Sequence, residues 1–221
     1  MPLLVLLAVA VAVGAGTPVW TQAQQAARFP VTAQDLAAGR SALEGLAVKG
    51  RAPSKGYDRA RFGEPWADVD GNGCRTRDDV LARDLEAVRT DPEDACVVVA
   101  GTLADPYTGS TLTFRRGPDS AAVQIDHVVA LADAWQKGAQ GWTVEQREAF
   151  ANDPANLLAV DGPANQQKGA GDAATWLPPQ TGYRCAYVLR QVRVKAAYGL
   201  WVTPAERDAM ARWLDRCVVA G

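Results

Sequence analysis

The chain is poor in the residues that most often bind metal ions or carry reactive groups. Its 221 residues include a single histidine, His127, and four cysteines, no two of which stand close together. This scarcity argues against a metal site built from cysteine and histidine, because such sites need several of these side chains at short spacing. A zinc site held by two histidines is excluded, since the chain has no second imidazole.

The sequence also lacks a strong net charge and a long apolar segment. Its formal net charge is −2, which does not by itself indicate a nucleic-acid-binding protein. The apolar stretch at residues 1–16 is shorter than the roughly 20 residues that span a membrane. An apolar run followed by small residues predicts a secretory signal peptide, and hence a secreted protein without stable membrane association. An uncleaved anchor is the alternative, because no positive residue precedes the run.

Four cysteines behind a signal peptide predict two disulfides formed in an oxidising compartment. Four cysteines permit three pairings, and the sequence alone does not select one of them. Closure of the shortest loops favours Cys74 with Cys96 and Cys185 with Cys217.

Hydrophobic periodicity predicts an α+β domain with many helices and little sheet. Residues 17–55 form an N-terminal linker or helical segment, and residues 56–221 form one domain with a sizeable core. A helix is expected over residues 78–88, and a β-hairpin over residues 96–103 and 111–116. Four apolar residues of the N-terminal segment recur at near-helical spacing: Val31, Leu36, Leu43 and Leu46.

Polar residues collect at the ends of the predicted elements around the only histidine. Asp126 and His127 end one strand, Asn156 begins the next, and Asn165 and Lys168 lie at the start of the following helix. Oxygens of Asp and Asn are hard ligands that suit Mg²⁺ or Mn²⁺, and a neutral imidazole accepts a proton from water near neutral pH. Together these residue types favour a one-metal site that cleaves phosphodiesters, although each alone also occurs as an ordinary core or turn residue.

The segments IDHVVAL, NLLAV, NQQKGAGD and WLP resemble those of an HNH, or ββα-metal, endonuclease. They are most similar to small secreted bacterial HNH proteins related to the C-terminal nuclease domain of GmrSD-type restriction enzymes. The upstream stretch YDRARFGEPWADVDGNGCRTRDDVLARDL resembles the same proteins, so the resemblance covers about residues 56 to 217. It implies an α+β fold with a ββα-metal core, a β-hairpin, surrounding helices and disulfides.

The resemblance also implies a role for each site residue. His127 matches the general base that activates water, and Asp126 matches the metal-ligating residue before it. Asn165 matches the final letter of the motif, here Asn instead of His, and would be the second metal ligand. Asn156 matches the middle Asn, whose side chain fixes the loop between the two strands and so orients the base. Lys168 lies where a contact with phosphate is expected.

The function implied is a metal-dependent endonuclease that hydrolyses DNA, or alternatively RNA, with little sequence specificity. One Mg²⁺ or Mn²⁺ ion would contact the phosphate and the leaving 3′ oxygen while His127 deprotonates a water in line with it. Two alternatives remain. One is a phosphodiesterase for small nucleotides that uses the same site, and the other is a Ca²⁺-stabilised extracellular binding module whose HNH-like site has decayed.

The segment DVDGNGCRTRDD follows part of a calcium-loop pattern. Asp68, Asp70, Asn72 and Asp79 stand at its positions 1, 3, 5 and 12. Position 12 is Asp instead of the bidentate Glu, and no convincing helix precedes the loop. The segment therefore predicts either a separate structural Ca²⁺ site or a glycine-rich turn, tied by Cys74, that leads into a helix.

Overall fold

The structure is a computed structural model that describes residues 27–219, so the signal peptide predicted at residues 1–16 lies outside the described residues. The fold is α+β, as the sequence predicts. Within the described residues no helix is long and apolar enough to cross a membrane. The helices are α1 (Ala33–Gly45), α2 (Thr76–Asp84), α3 (Leu131–Trp135), α4 (Val144–Asn152), α5 (Gly162–Lys168), α6 (Arg184–Ala197) and α7 (Pro204–Leu214). The strands are β1 (Glu86–Thr90), β2 (Val98–Ala104), β3 (Thr111–Arg115), β4 (Val123–His127) and β5 (Leu157–Asp161).

The strands form two small antiparallel sheets. The first has the order β1-β2-β3, and its β2–β3 hairpin pairs Ala104 with Thr111 across the turn. This confirms the hairpin predicted from the sequence. The second sheet consists of β4 and β5, in which Val123 pairs with Asp161 and His127 pairs with Leu157. The first residue of β5 therefore lies opposite the only histidine of the chain.

The helix predicted over residues 78–88 is wrong in its second half. Helix α2 ends at Asp84, and the following residues form the edge strand β1, which pairs with β2. Ala87 has a left-handed φ of 49°, a conformation that interrupts a right-handed helix. Pairing with β2 is a non-local contact, which a local apolar pattern does not register. Three apolar residues of the segment predicted to be helical are nevertheless buried: Val80, Leu81 and Leu85.

Helix α1 packs into the main core of the protein. It begins with a capping box, in which the Thr32 hydroxyl accepts a hydrogen bond from the Asp35 N–H and the Asp35 carboxylate accepts one from the Thr32 N–H. The helix lies against α6 and α7. The four apolar residues that recur at near-helical spacing are all buried: Val31, Leu36, Leu43 and Leu46. Of the described part of this segment, Ala33–Gly45 is helical.

Two disulfides close local loops, with the pairing that loop closure favours. Cys74 bonds to Cys96 with 5.2 Å between the Cα atoms, and Cys185 bonds to Cys217 with 5.7 Å between them. The first ties the start of α2 to the start of β2, and the second ties α6 to the segment after α7. Each bond joins neighbouring elements and so lowers the entropy of the unfolded chain.

A cluster of buried charged side chains joins three helices. Lys137 Nζ lies 2.6 Å from Asp133, 2.8 Å from Asp172 and 2.6 Å from Glu206. Lys195 Nζ lies 2.9 Å from both Asp133 and Glu206, and all five side chains are almost fully buried. The half-exposed guanidinium of Arg51 contacts Asp133 and Asp172, so three cations balance three carboxylates. We call these six residues the buried charge cluster. It attaches α3, which follows the histidine, to α6 and α7.

Candidate active site

Strands β4 and β5 and helix α5 bring the predicted site residues to one end of the small sheet. β4 ends at His127 and β5 begins at Leu157, so the two strand ends meet there. Helix α5 follows β5 directly. Asp161, the last residue of β5, caps the helix, because its side chain accepts a hydrogen bond from the Ala164 N–H at 2.8 Å. The helix packs against both strands. Asn165 therefore lies beside β4, where its Nδ2 donates to Gln124.

His127 is buried, and one of its two ring nitrogens is engaged. Nε2 lies 2.8 Å from the carbonyl oxygen of Ala151. A carbonyl only accepts, so Nε2 carries the proton in the neutral ring and Nδ1 keeps the lone pair. The ring of Trp66 lies nearly parallel to the imidazole, with 6.3 Å between the ring centres. The tautomer fixed by the backbone carbonyl therefore leaves Nδ1 as a proton acceptor.

The surroundings of His127 keep its ring neutral. Burial lowers the pKa of His127 to about 3, while the hydrogen bond to Ala151 opposes this shift and the positive charges of Arg59 and Lys168 add to it. A histidine whose pKa lies this low is uncharged throughout the physiological range. The imidazole is therefore unprotonated and able to accept a proton at Nδ1, and the same shift lowers its strength as a base.

Asn156 is fully buried and fixes the loop that follows His127. Its Oδ1 accepts a hydrogen bond from the Val129 N–H at 2.8 Å, and its Nδ2 donates one to the Val129 carbonyl at 3.2 Å. Its own carbonyl accepts from the Val128 N–H at 2.8 Å. These are the contacts expected of the middle residue of the motif, and their contribution to catalysis stays a prediction.

We expect Asn156→Ala to lower the free energy of unfolding by about 1–3 kcal/mol, because it leaves the buried N–H and C=O of Val129 unpaired. Urea denaturation with the disulfides intact measures this change. Asn165→Ala is the matched control, because Asn165 is only half-buried and donates to Gln124 at 3.0 Å. The free energy of unfolding of Asn165→Ala is expected to differ from that of the wild type by less than about 0.5 kcal/mol. Equal losses in the two variants would contradict a fixing role specific to Asn156.

Asp126 and Lys168 form a buried ion pair. Lys168 Nζ lies 2.9 Å from Asp126 Oδ1 and also donates to the His127 carbonyl at 2.9 Å. Asp126 Oδ2 accepts a hydrogen bond from the Tyr107 hydroxyl. Burial raises the pKa of Asp126, and the ion pair with Lys168 and the Tyr107 hydrogen bond oppose that shift. The Lys168 ammonium group is thus committed to Asp126 and to the backbone in this structure, and its predicted contact with phosphate stays a prediction.

An open cavity of about 260 Å³ lies in front of these residues. Asp126, His127 and Asn165 all line it, together with Tyr57 and Arg59 from the segment before α2. A second, smaller cavity on the other side of His127 is lined by Trp66 and also by Arg59. The only histidine of the chain therefore lies between two cavities, and both predicted metal ligands face the larger one.

The oxygens beside the larger cavity fit a hard divalent ion. Asn165 Oδ1 has no hydrogen-bond partner among the residues that the structure describes, and each Asp126 oxygen keeps a lone pair beyond its single hydrogen bond. Mg²⁺ accepts so small a set of protein oxygens, because it retains several waters and takes further oxygens from substrate phosphate. The residues present thus suit Mg²⁺ or Mn²⁺, with solvent and substrate as the other ligands.

The second acidic segment forms a tight turn held by its own side chains. The Asp68 carboxylate accepts hydrogen bonds from the backbone N–H groups of Gly71, Asn72 and Gly73. The Asn72 side chain donates to the carboxylates of Asp70 and Asp79. Over residues 27–219, no group of three or more His, Cys, Asp or Glu side chains is arranged to hold a metal ion. The turn leads into α2, as expected for a glycine-rich turn before a helix. The Ca²⁺ site stays a prediction.

Comparison with known proteins gives the family. A family model described as "GmrSD restriction endonucleases, C-terminal domain" matches residues 75–213, which is more than half of the chain. The chain belongs to this family. An "uncharacterized secreted protein" of Arthroderma benhamiae is 38% identical over 190 residues, which cover 85% of this chain and 89% of that protein. No solved structure matches the chain.

Membership of the GmrSD C-terminal domain family supports a nuclease-related function and a nucleic acid as the general class of substrate. The matched range contains β4, β5 and α5 with every predicted catalytic and metal-binding residue of the site. It does not contain Arg59 and Trp66, which form one wall of the cavities beside His127. Sequence reasoning missed both of these residues and Tyr107. The only sequence signal for Arg59 and Trp66 was their position in the upstream stretch YDRARFGEPWADVDGNGCRTRDDVLARDL, which resembles the same proteins.

Proposed function

We propose that this protein is a metal-dependent endonuclease of the ββα-metal type that hydrolyses phosphodiester bonds of DNA, with RNA as a second substrate. The observation that carries the proposal is the state of His127. Its Nε2 is held by the Ala151 carbonyl, its ring is neutral, and it lines a cavity together with Asp126 and Asn165. A fixed neutral imidazole beside two hard oxygen ligands is the donor set that hydrolysis of a phosphodiester needs.

His127 is the general base in this proposal. Its Nδ1 takes a proton from a water molecule, and the resulting hydroxide attacks phosphorus in line with the leaving 3′ oxygen. The bond between phosphorus and the 3′ oxygen breaks and the leaving oxygen takes a proton from solvent, so the products carry 5′-phosphate and 3′-hydroxyl ends. Asn156 supports this step by holding the loop after His127, and Ala151 supports it by fixing the tautomer.

Asp126 and Asn165 would hold the divalent ion. When bound, Mg²⁺ or Mn²⁺ supplies positive charge that stabilises the negative charge developing on the phosphate and the leaving oxygen. Lys168 favours the ionised form of Asp126, whose pKa is raised by burial, and orients the carboxylate towards α5 through the contact of 2.9 Å. Tyr107 fixes the second carboxylate oxygen, so the carboxylate is held in place before any ion binds.

The setting of the proposed reaction is outside the cell. The relative from Arthroderma benhamiae is described as secreted, and two disulfides join elements of this fold. Disulfides persist in oxidising compartments, which supports secretion of this chain as well. The net charge of −2 favours weak, sequence-independent binding, since lysine and arginine supply most of the affinity for phosphate backbones.

We expect the purified protein to nick supercoiled plasmid with Mg²⁺ or Mn²⁺ and to leave it intact in EDTA. End-labelling should find 5′-phosphate and 3′-hydroxyl termini. A parallel reaction with bis(p-nitrophenyl) phosphate distinguishes the rival activity on small phosphodiesters. Hydrolysis of that compound with intact plasmid would replace the nuclease by a small-substrate phosphodiesterase, and cleavage of neither substrate with any metal would refute both enzymes. Ca²⁺-dependent melting without cleavage would favour the binding module.

A further inference from the structure

Arg59 stands at the junction of the two cavities beside His127. It lines the cavity of about 260 Å³ that contains Asp126 and Asn165, and it also lines the cavity formed by Trp66. Its side chain is exposed, and it has no hydrogen bond or ion pair within residues 27–219. Most other arginines around this region are engaged with carboxylates, carbonyls or aromatic rings. Arg59 thus presents a free guanidinium group to the site.

The charges on the cavity walls leave Arg59 without a counterion. Among the described residues that line the two cavities, Arg59 and Asp126 are the only Arg, Lys, Asp or Glu side chains. Asp126 is already neutralised by Lys168, whose ammonium group lies behind it. One positive charge therefore remains on the walls. A cavity with a single uncompensated guanidinium selects an anion.

The chain holds Arg59 on a well-supported turn. Arg59–Phe62 is a short 3₁₀ helix whose N-cap, Asp58, accepts a hydrogen bond from the Ala60 N–H at 2.9 Å. Phe62 is buried against the core, and Arg147 donates to the carbonyl of Arg61 at 2.7 Å. The backbone on both sides of Arg59 is therefore fixed, so no backbone segment has to become ordered when Arg59 binds an anion.

We propose that Arg59 binds the non-bridging oxygens of the scissile phosphate and is a further catalytic residue of this site. Arg59 lines both cavities, whereas Lys168 lines neither of them and its Nζ donates to Asp126 and to the His127 carbonyl. A guanidinium matches two phosphate oxygens with two parallel hydrogen bonds, and its charge opposes the charge that grows during attack. This inference rests on the proposed phosphodiesterase function.

The test compares Arg59→Ala, Arg59→Lys and Arg61→Ala in the full chain with Mg²⁺. Arg61 is the matched control, because it lies two residues away on the same turn and its guanidinium packs over the ring of Trp135 at 5.7 Å. We expect Arg59→Ala to lower kcat/KM for plasmid nicking by about 10²- to 10³-fold. Arg59→Lys should recover part of the loss, because it keeps the charge but not the paired hydrogen bonds. Arg61→Ala should stay within about 3-fold of the wild type.

A binding measurement separates contact with phosphate from a structural effect. In EDTA, the slope of log Kd against log salt for a short DNA duplex should become about 0.9 less steep in Arg59→Ala, and the melting temperature should not change. If the wild type nicks plasmid while Arg59→Ala matches it in rate and salt slope, the Arg59 proposal is wrong and the nuclease stands. If the wild type neither nicks plasmid nor binds duplex, the proposed function fails and the role of Arg59 fails with it.

Discussion

Replacing His127 by alanine is expected to lower the rate of Mg²⁺-dependent plasmid nicking by about 10²- to 10⁴-fold, the usual effect of losing a positioned general base. The chain has no second histidine that could take over the proton transfer. In this proposal the adjacent Asp126 is not a substitute, because it is a ligand of the metal ion and is paired with Lys168. Single-turnover cleavage with enzyme in excess measures the chemical step without product release.

His127→Gln is the matched control for this prediction. A glutamine amide can donate to the Ala151 carbonyl as Nε2 of the imidazole does, at 2.8 Å, but it provides no base. We expect the glutamine variant to melt close to the wild type and yet to be as slow as the alanine variant. Added imidazole should restore part of the rate in His127→Ala. A glutamine variant with nearly full activity would show that His127 supports the fold and that the base is another group.

The predicted catalytic and metal-binding residues could be recognised from the sequence, because they follow local patterns and the spacing of a motif. Asp126 and His127 are neighbours in the chain, and the strand that carries them follows from alternating apolar residues. Asn156 and Asn165 were found through their spacing in the family motif. Asn156 fixes the loop after His127, and Asn165 lines one cavity together with Asp126 and His127. The catalytic roles of these residues stay predictions, whereas their proximity is a finding.

The remaining parts of the site depend on contacts between distant segments. Tyr107 reaches Asp126 from the hairpin, and Ala151 reaches His127 from the end of α4. Neither residue type signals such a contact, since a backbone carbonyl exists at every position and tyrosine is a common core residue. The same limitation explains the wrong end of the helix at residues 78–88, where pairing with β2 outweighed a helical pattern.

The buried charge cluster shows a further limit of local reasoning. Asp133 and Lys137 stand four residues apart, a spacing that on a helix usually indicates an exposed ion pair. In the fold both are buried, because Lys195 and Glu206 approach from α6 and α7. Burial alone would raise the pKa of Asp133, but the ammonium groups of Lys195 and Lys137 outweigh it and lower the pKa to about 2. Asp133 is therefore ionised, and its charge depends on both lysines.

We expect Lys137→Met to lower the free energy of unfolding at pH 7 by about 3–5 kcal/mol, which is the typical cost of removing one partner from a buried ion pair. Methionine keeps the unbranched, apolar shape of the lysine stem, so the variant removes mainly the charge and its hydrogen bonds. It leaves Asp172 and Glu206 without their shared partner. Urea denaturation of the oxidised protein measures the change. Arg193→Met is the control, because Arg193 pairs with Asp35 on the surface and its loss should cost less than about 1 kcal/mol.

The pH dependence of the Lys137→Met effect tests whether charge is its cause. Without Lys137 the native cluster has an excess negative charge, so its carboxylates bind protons at higher pH than in the wild type. As the pH falls, the native variant therefore takes up more protons than the native wild type. Proton binding to the native state raises its free energy of unfolding, so the variant gains stability relative to the wild type. The difference in stability between the two proteins should therefore shrink between pH 7 and pH 4. A difference that stays constant over this range would show that the loss of stability comes from packing around Lys137. It would also show that charge balance does not hold α3 against α6 and α7.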